Sequence, residues 1–180
     1  MANTYLGVST SSSGNLRKWT ISFWVKRSDI VSSNVVFGSY FNGTNYDGIN
    51  LHSNGGLDFW SYQAGGYYGR IKTNRLFRDV NAWYHIVCVW DTGNATANDR
   101  MKIYVNGVEE TDFQVRTNPN QNVESIIGYQ NLTKVGAINA GDYFNGYLSH
   151  VHYCDGYAYS ASDFGSTDST TGEWKINTSP

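Results

Sequence analysis

The chain has 180 residues, a charged fraction of 16% and a net charge of −2. That length fits one domain with a core able to stand without staples. With no basic stripe to neutralise phosphates and no polybasic patch for anionic lipid, the expected partners include no nucleic acid and no membrane.

The polar bulk is Gly, Asn, Ser and Thr, and 14 Tyr and 6 Trp stand beside only 2 Pro. That balance suits an all-β protein with many turns, since helices draw on Ala, Leu, Glu and Lys. Residues 1–18 hold no apolar run of signal-peptide length, which fits a chain made in the cytoplasm or one whose leader was removed. The first clear element is WTISFWVKR at 19–27. There Trp19, Ile21, Phe23 and Val25 alternate with Thr20, Ser22, Trp24 and Lys26, predicting a half-buried strand. Shorter strands are predicted at 35–39 and 48–52, bounded by Gly, Asn and Ser clusters. After the turn signal Asn54-Gly55-Gly56, LDFWSY at 57–62 sets Leu57, Phe59 and Ser61 on one face and Asp58, Trp60 and Tyr62 on the other. A strand at 69–73 precedes WYHIVCVWD at 83–91, which is apolar on both faces, as a central strand of a two-layer sandwich would be.

In MKIYVNGVEETDF, 101–113, Asn106-Gly107 sits between apolar residues and tolerates the positive φ values of a two-residue type I′ hairpin. Strands at 123–128 and 143–153 complete the series. No segment of helical length has a 3.6 period and no heptads occur, so the pattern predicts an antiparallel sandwich or barrel without βαβ units. The tail from 165 to 180 is polar apart from Trp174 and Ile176 and is expected to lie along the surface with Trp174 as its anchor. Cys88 and Cys154 are too few for a disulfide framework and read as two separate buried thiols.

Three blocks carry a resemblance: KWTISFWVKRS; LFRDVNAWYHIVCVWDTGNATANDRMKIYVNGVEETDF; and YFNGYLSHVHYCDGYAYSASDFGSTDSTTGEWK. In this order they resemble the laminin G-like, concanavalin A-like lectin jelly-roll domain, in the form carried by structural proteins of tailed bacteriophages, especially marine ones. The resemblance covers residues 5–176. It implies an all-β, two-sheet antiparallel jelly-roll sandwich with a concave and a convex sheet, and one such domain over residues 1–180. It also implies a non-enzymatic virion protein that decorates a capsid or tail surface and contributes glycan adhesion to the host. The implied partners are other virion proteins, further copies of this chain (a trimer among the options) and host-surface glycan. Assembly in the reducing host cytoplasm agrees with unpaired cysteines. The alternative is a carbohydrate-binding lectin or adhesin module, because this sandwich hosts many functions.

Four constellations are candidates for chemistry. Glucanases of this fold set paired carboxylates on alternate positions of one strand face. Only Glu110-Thr-Asp112 comes near, with Gln114 where a third acid would stand, so no catalytic residues are expected. For calcium, which takes oxygen ligands, the compact cluster is Asp91, Asn94, Asn98 and Asp99; the competing reading is turn capping by the same side chains. For glycan or partner binding, the candidates are Trp60, Tyr62, Tyr67, Tyr68 and Asp58, with Tyr40, Phe41 and Tyr46 in another loop. Against this stands burial of that face under a loop or another chain. Finally, His150, His152 and Cys154 alternate before Asp155 and raise the question of zinc. A regular strand would place Leu148, His150, His152 and Cys154 on one face and Tyr147, Ser149, Val151 and Tyr153 on the other. In the resembling domains 150 is acidic and 154 aliphatic, which implies packing for Cys154. No zinc is therefore expected.

Overall fold

The computed structural model describes residues 4–8, 10–31, 33–130, 133–139 and 142–180. Its strands, numbered along the chain, form two main antiparallel sheets. From edge to edge, the seven-stranded sheet comprises β1 (Leu6–Val8), β11 (Thr133–Val135), β3 (Asn34–Asn42), β4 (Asn45–Leu51), β5 (Gly56–Gln63), β6 (Gly66–Leu76) and β10 (Phe113–Thr117). The five-stranded sheet comprises β12 (Gly146–Asp155), β2 (Lys18–Arg27), β7 (Tyr84–Asp91), β8 (Met101–Val105) and β9 (Val108–Glu109). A small hairpin joins β13 (Gly165–Thr167) to β14 (Trp174–Ile176). The architecture is a two-sheet antiparallel jelly-roll sandwich.

Alternation places the core. Trp19, Ile21, Phe23 and Val25 of β2 are fully buried with Ile86, Cys88 and Trp90 of β7. They face Phe37, Ile49, Leu51, Leu57, Phe59 and Ile71 of the seven-stranded sheet. Each large apolar side chain so enclosed contributes about 1.5–3 kcal/mol. The sheets are bridged by rings: Trp19 stacks on Trp90 at 6.3 Å, and Phe59 from the opposite sheet tilts against Trp19 at 5.6 Å. Buried indole N–H groups require acceptors. Trp19 Nε1 donates to Ser125 Oγ at 2.9 Å and Trp90 Nε1 to the Leu16 carbonyl at 3.2 Å.

The segment 123–128, expected as a strand, is a loop. Its apolar residues plug the sandwich: Ile127 is fully buried in the core and Val123 packs against it. With no partner strand, its backbone is held by other groups. Ser125 N donates to the Leu16 carbonyl, and Ile126 N donates to Asp47 Oδ2 at 2.6 Å. The two cysteines are both free, Cys88 in the core and Cys154 half-buried on the opposite face of the five-stranded sheet.

That opposite face is covered by the C-terminal segment. Thr20 Oγ1 donates to the Tyr157 carbonyl and accepts from Tyr159 N. Phe164 and Ala161 pack on Val87 and Val89. Trp174 lies on the β8–β9 turn, where any side chain at Gly107, already at φ +85, would strike its ring. Trp174 Nε1 donates to His85 Nδ1 at 3.0 Å, which leaves His85 Nε2–H to donate to Ser22 Oγ at 2.8 Å. This neutral imidazole, stacked between Trp24 and Trp174, is pushed by burial and by His152 down to a pKa of about 4.

Asp47 supplies a pH signature. It is fully buried, and burial pushes its carboxyl up to about 7 despite donation from Ser61 and the 126–127 backbone. A raised folded-state pKa means that the stabilisation is fully present below the unfolded value, near 4, and is lost as pH rises through 7. Relative to Asp47→Asn, the unfolding free energy of the natural protein should therefore fall by about 1.4 kcal/mol per pH unit in that window. Denaturant titrations of both proteins between pH 4.5 and about 8 check this, and parallel pH profiles would refute it.

Candidate functional site

The outer face of the seven-stranded sheet is organised in rows across β3–β4–β5–β6. Residues whose neighbours along the strand enter the core must point outward. One row pairs Tyr40 with Tyr46, Tyr46 with Tyr62, and Tyr62 with Tyr67. The next pairs Gly38, Gly48, Trp60 and Arg70 in that order, and a third pairs Asn50 with Asp58 and Asp58 with Lys72.

The tyrosine row is continuous. Ring centroids are 6.1 Å apart for Tyr40 and Tyr46, 4.9 Å for Tyr46 and Tyr62, and 5.1 Å for Tyr62 and Tyr67. Its ends are open to solvent, Tyr40 at 38% and Tyr67 at 45% exposure. The Arg70 guanidinium lies 4.5 Å from the Tyr67 ring centroid, and Tyr62 Oη donates to the Gly65 carbonyl at 2.8 Å. The Tyr46 hydroxyl is raised in pKa first by burial, then by the neighbouring phenols of Tyr67, Tyr62 and Tyr40.

Two of the five expected binding residues are not surface groups. Trp60 is 9% exposed, with its ring over Gly48, and it clusters with Ile138, which packs over Gly38. A Cβ on Gly48 would come within 2.7 Å of the indole, so glycine there creates the seat for Trp60. Trp60 supports the face and offers no stacking platform. Asp58, 2% exposed, accepts from Arg70 Nη2 at 2.6 Å and from His52 Nε2 at 3.0 Å. Burial alone would raise its pKa; the hydrogen bonds from His52 and Arg70 outweigh burial and hold it below the usual carboxylate range. Tyr68 is the extra residue of a bulge in β6 and lies outside the tyrosine row. Phe41 turns away to meet Tyr129 edge-on. Tyr40 and Tyr46, read from sequence as a separate loop, join Tyr62 and Tyr67. The Asn42-Gly43 turn that folds β3 onto β4 was the available signal.

The oxygen-rich loop is tied to cations and amides of the chain. Asp91 pairs with Lys18 at 3.2 Å and Asp99 with Lys102 at 3.0 Å. Asn94 accepts from Thr96 N, and Asn98 accepts from Asn118 Nδ2 at 2.7 Å. Asp91, Asn94 and Asp99 line one cavity of about 320 Å³ with Lys102 and Tyr104, while Asn98 is not part of it. The acids of the hydrolase comparison are engaged as well: Glu110 pairs with Arg75 at 2.6 Å, and Asp112 accepts from Asn74 Nδ2.

The alternation through His150 is broken. Between Ser149 and His152 the register of β12 against β2 slips by a β-bulge, with His150 at φ +47. Leu148 and Val151 therefore pack against the core, whereas His152 and Cys154 meet the outer cluster, His152 over Phe164 at 6.0 Å. Asp155 caps Asn15 N at 2.7 Å. Among the described residues no three His, Cys, Asp or Glu side chains are placed to share a metal ion.

The chain is thus a two-layer jelly-roll sandwich that presents a row of aromatic rings on one sheet. Residues 2–163 match the profile of the concanavalin A-like lectin/glucanases superfamily, and the chain belongs to that family. No curated protein matches the sequence. Among solved structures it is similar to the native heptameric SAP-like pentraxin from Limulus polyphemus, with 15% identity over 84% of this chain and 70% of that one, at a TM-score of 0.57. It is also similar to domain 4 of AbnA, a GH43 extracellular arabinanase from Geobacillus stearothermophilus, in complex with arabinotriose; identity is 14% over 87% and 77% of the two chains, TM-score 0.57. A third is the IT-sialidase CBM40 of Ruminococcus gnavus, with 12% identity over 90% and 96%, TM-score 0.58. At these identities the likeness is one of fold.

Metal analysis of the purified protein should find no stoichiometric zinc. A zinc equivalent that disappears on Cys154→Ser would show that the bulged strand chelates after all.

Proposed function

We propose that this chain is a non-catalytic carbohydrate-binding module whose recognition surface is the outer face of the seven-stranded sheet. The observation that carries the reading is the row Tyr40, Tyr46, Tyr62 and Tyr67, held in one cross-strand register and open at both ends. Sugar rings have apolar C–H faces that pack on aromatic rings, while their hydroxyls need fixed donors and acceptors nearby. Phenol hydroxyls and Arg70 supply these beside the rings. The arabinanase domain in complex with arabinotriose and the CBM40 module, both of this fold, support a sugar-binding use of it. Absence of catalysis is part of the proposal. Asp58 is locked by Arg70 and His52, and Glu110 by Arg75, so neither carboxylate stands free for acid or nucleophile work.

Tyr67→Ala removes an exposed ring without opening the core. On a glycan array followed by titration calorimetry, it should weaken the best ligand at least tenfold while leaving the unfolding temperature nearly unchanged. Binding that is indifferent to Tyr67→Ala and Tyr40→Ala, or no binding to any glycan, would overturn the reading.

The sequence resemblance supports a setting for such a module: a tailed-phage virion, where it decorates capsid or tail as an oligomer such as a trimer, contacting other virion proteins and host-surface glycan. Exposed aromatic rows also serve protein interfaces, and repeated copies turn weak sugar affinity into firm attachment. Quantitative mass spectrometry of purified particles should give a copy number that fits capsid or tail symmetry. Absence of the protein from particles would exclude this setting without touching the sugar site.

A further inference from the structure

Beyond the tyrosines, the same face carries a polar row that the tyrosine reading does not use. Asn50, Asp58 and Lys72 stand opposite one another on β4, β5 and β6. They point outward because Ile49, Leu51, Leu57, Phe59 and Ile71 beside them fill the core. Asn50 is 8% exposed, and its Oδ1 is buried without a hydrogen-bond partner. An unmet buried acceptor is costly, and in native proteins it calls for an explanation. Asn139, next to the Ile138 that packs on this face, has a second unmet Oδ1.

The charges beside Asn50 are unbalanced. Asp58 spends its carboxylate on three contacts from Arg70, between 2.6 and 3.1 Å, and one from His52 at 3.0 Å. Lys72, opposite Asp58 in the ladder, has no ion pair or hydrogen bond among the described residues. On its far side, β10 offers only Val115 opposite Lys72 and Thr117 opposite Arg70. Two cations thus stand on β6 beside one buried carboxylate that bonds only Arg70 of the two, leaving one positive charge in excess before His52 is counted.

We infer that this row is a subsite for an acidic sugar residue, whose carboxylate meets Lys72 and the outer edge of Arg70 and whose neighbouring hydroxyl donates to Asn50 Oδ1. The inference rests on the carbohydrate-binding reading of the tyrosine row and names its ligand class. A neutral sugar satisfies Asn50 and leaves Lys72 unpaired, and a free carboxylate does the reverse. A uronic or sialic acid, with hydroxyls and carboxylate on one frame, satisfies both. Asp58 and Tyr62 are four steps apart along β5, roughly 13 Å. That is the reach of a short oligosaccharide, so its acidic residue occupies the polar row while another residue packs on Tyr62 and Tyr67.

The test uses paired oligosaccharides: oligogalacturonates and sialylated glycans against the same molecules with carboxylates reduced to alcohols. The natural protein should bind the acidic member at least tenfold more tightly, and the preference should shrink as salt is raised. Lys72→Gln, at a half-buried outward position, should erase the preference and keep affinity for the neutral member. Equal binding of acidic and neutral members, or a preference that survives Lys72→Gln, overturns the acidic subsite while leaving the tyrosine site standing. Loss of all sugar binding in the natural protein overturns both.

Discussion

The register of β3, β4, β5 and β6 is the constraint on which everything else depends. Because successive side chains alternate between faces, one shifted residue would exchange core and surface along a whole strand. The register is pinned from inside. Phe37, Ile49, Phe59 and Ile71 form one cross-strand row, and the Trp19–Trp90–Phe59 contacts lock that row to the other sheet. Once the inner row is fixed, the outer rows follow without further choice. The tyrosines line up because phenylalanine and isoleucine three residues away, or four across the β6 bulge, must be buried.

The middle outer row explains how the two functional rows stay apart. Gly38 and Gly48 carry no side chain, so Ile138 and Trp60 pack directly on the sheet where two more side chains would otherwise stand. The result is an apolar saddle with phenols on one side and Asn50, Asp58 and Lys72 on the other. Arg70 belongs to this row and reaches both ways, over the Tyr67 ring and into Asp58. It couples the aromatic and polar halves electrostatically.

Much of the fold was legible from residue order, and the reasons are specific. β2, β5 and β7 advertise themselves by alternation or by two apolar faces, and Asn106-Gly107 marks the β8–β9 turn through its positive φ values. The short strands β1, β10 and β11 are pairing partners supplied by neighbours and carry little pattern of their own. Apolar content misled at 123–128, where Ile127 plugs the core from a loop held by Asp47. At His150 a single inserted residue changed the facing of Leu148 relative to His152, and nothing local in LSHVHYC announces it. The site was half legible: Tyr62 and Tyr67 were visible, but their continuity with Tyr40 and Tyr46 is a product of register, which composition does not encode.

The two outer faces of the sandwich are treated differently, and the contrast bears on use. Across the five-stranded sheet the chain lays its own C-terminal segment, with Phe164 on Val87 and Val89 and Trp174 hydrogen-bonded to a neutral His85. Polar residues there, Thr20, Ser22 and His85, find partners within that cover. Across the seven-stranded sheet, among the described residues, Trp60 and Ile138 form an apolar saddle, and the polar row beside it keeps an unmet acceptor at Asn50 and a Lys72 ammonium without an ion pair. Unmet polar atoms occur on both faces, Trp24 Nε1 and His152 Nε2 under the C-terminal cover and Asn50 Oδ1 on the other, but the open row of tyrosine rings lies on the seven-stranded sheet, so that face is the one suited to a partner from outside the chain.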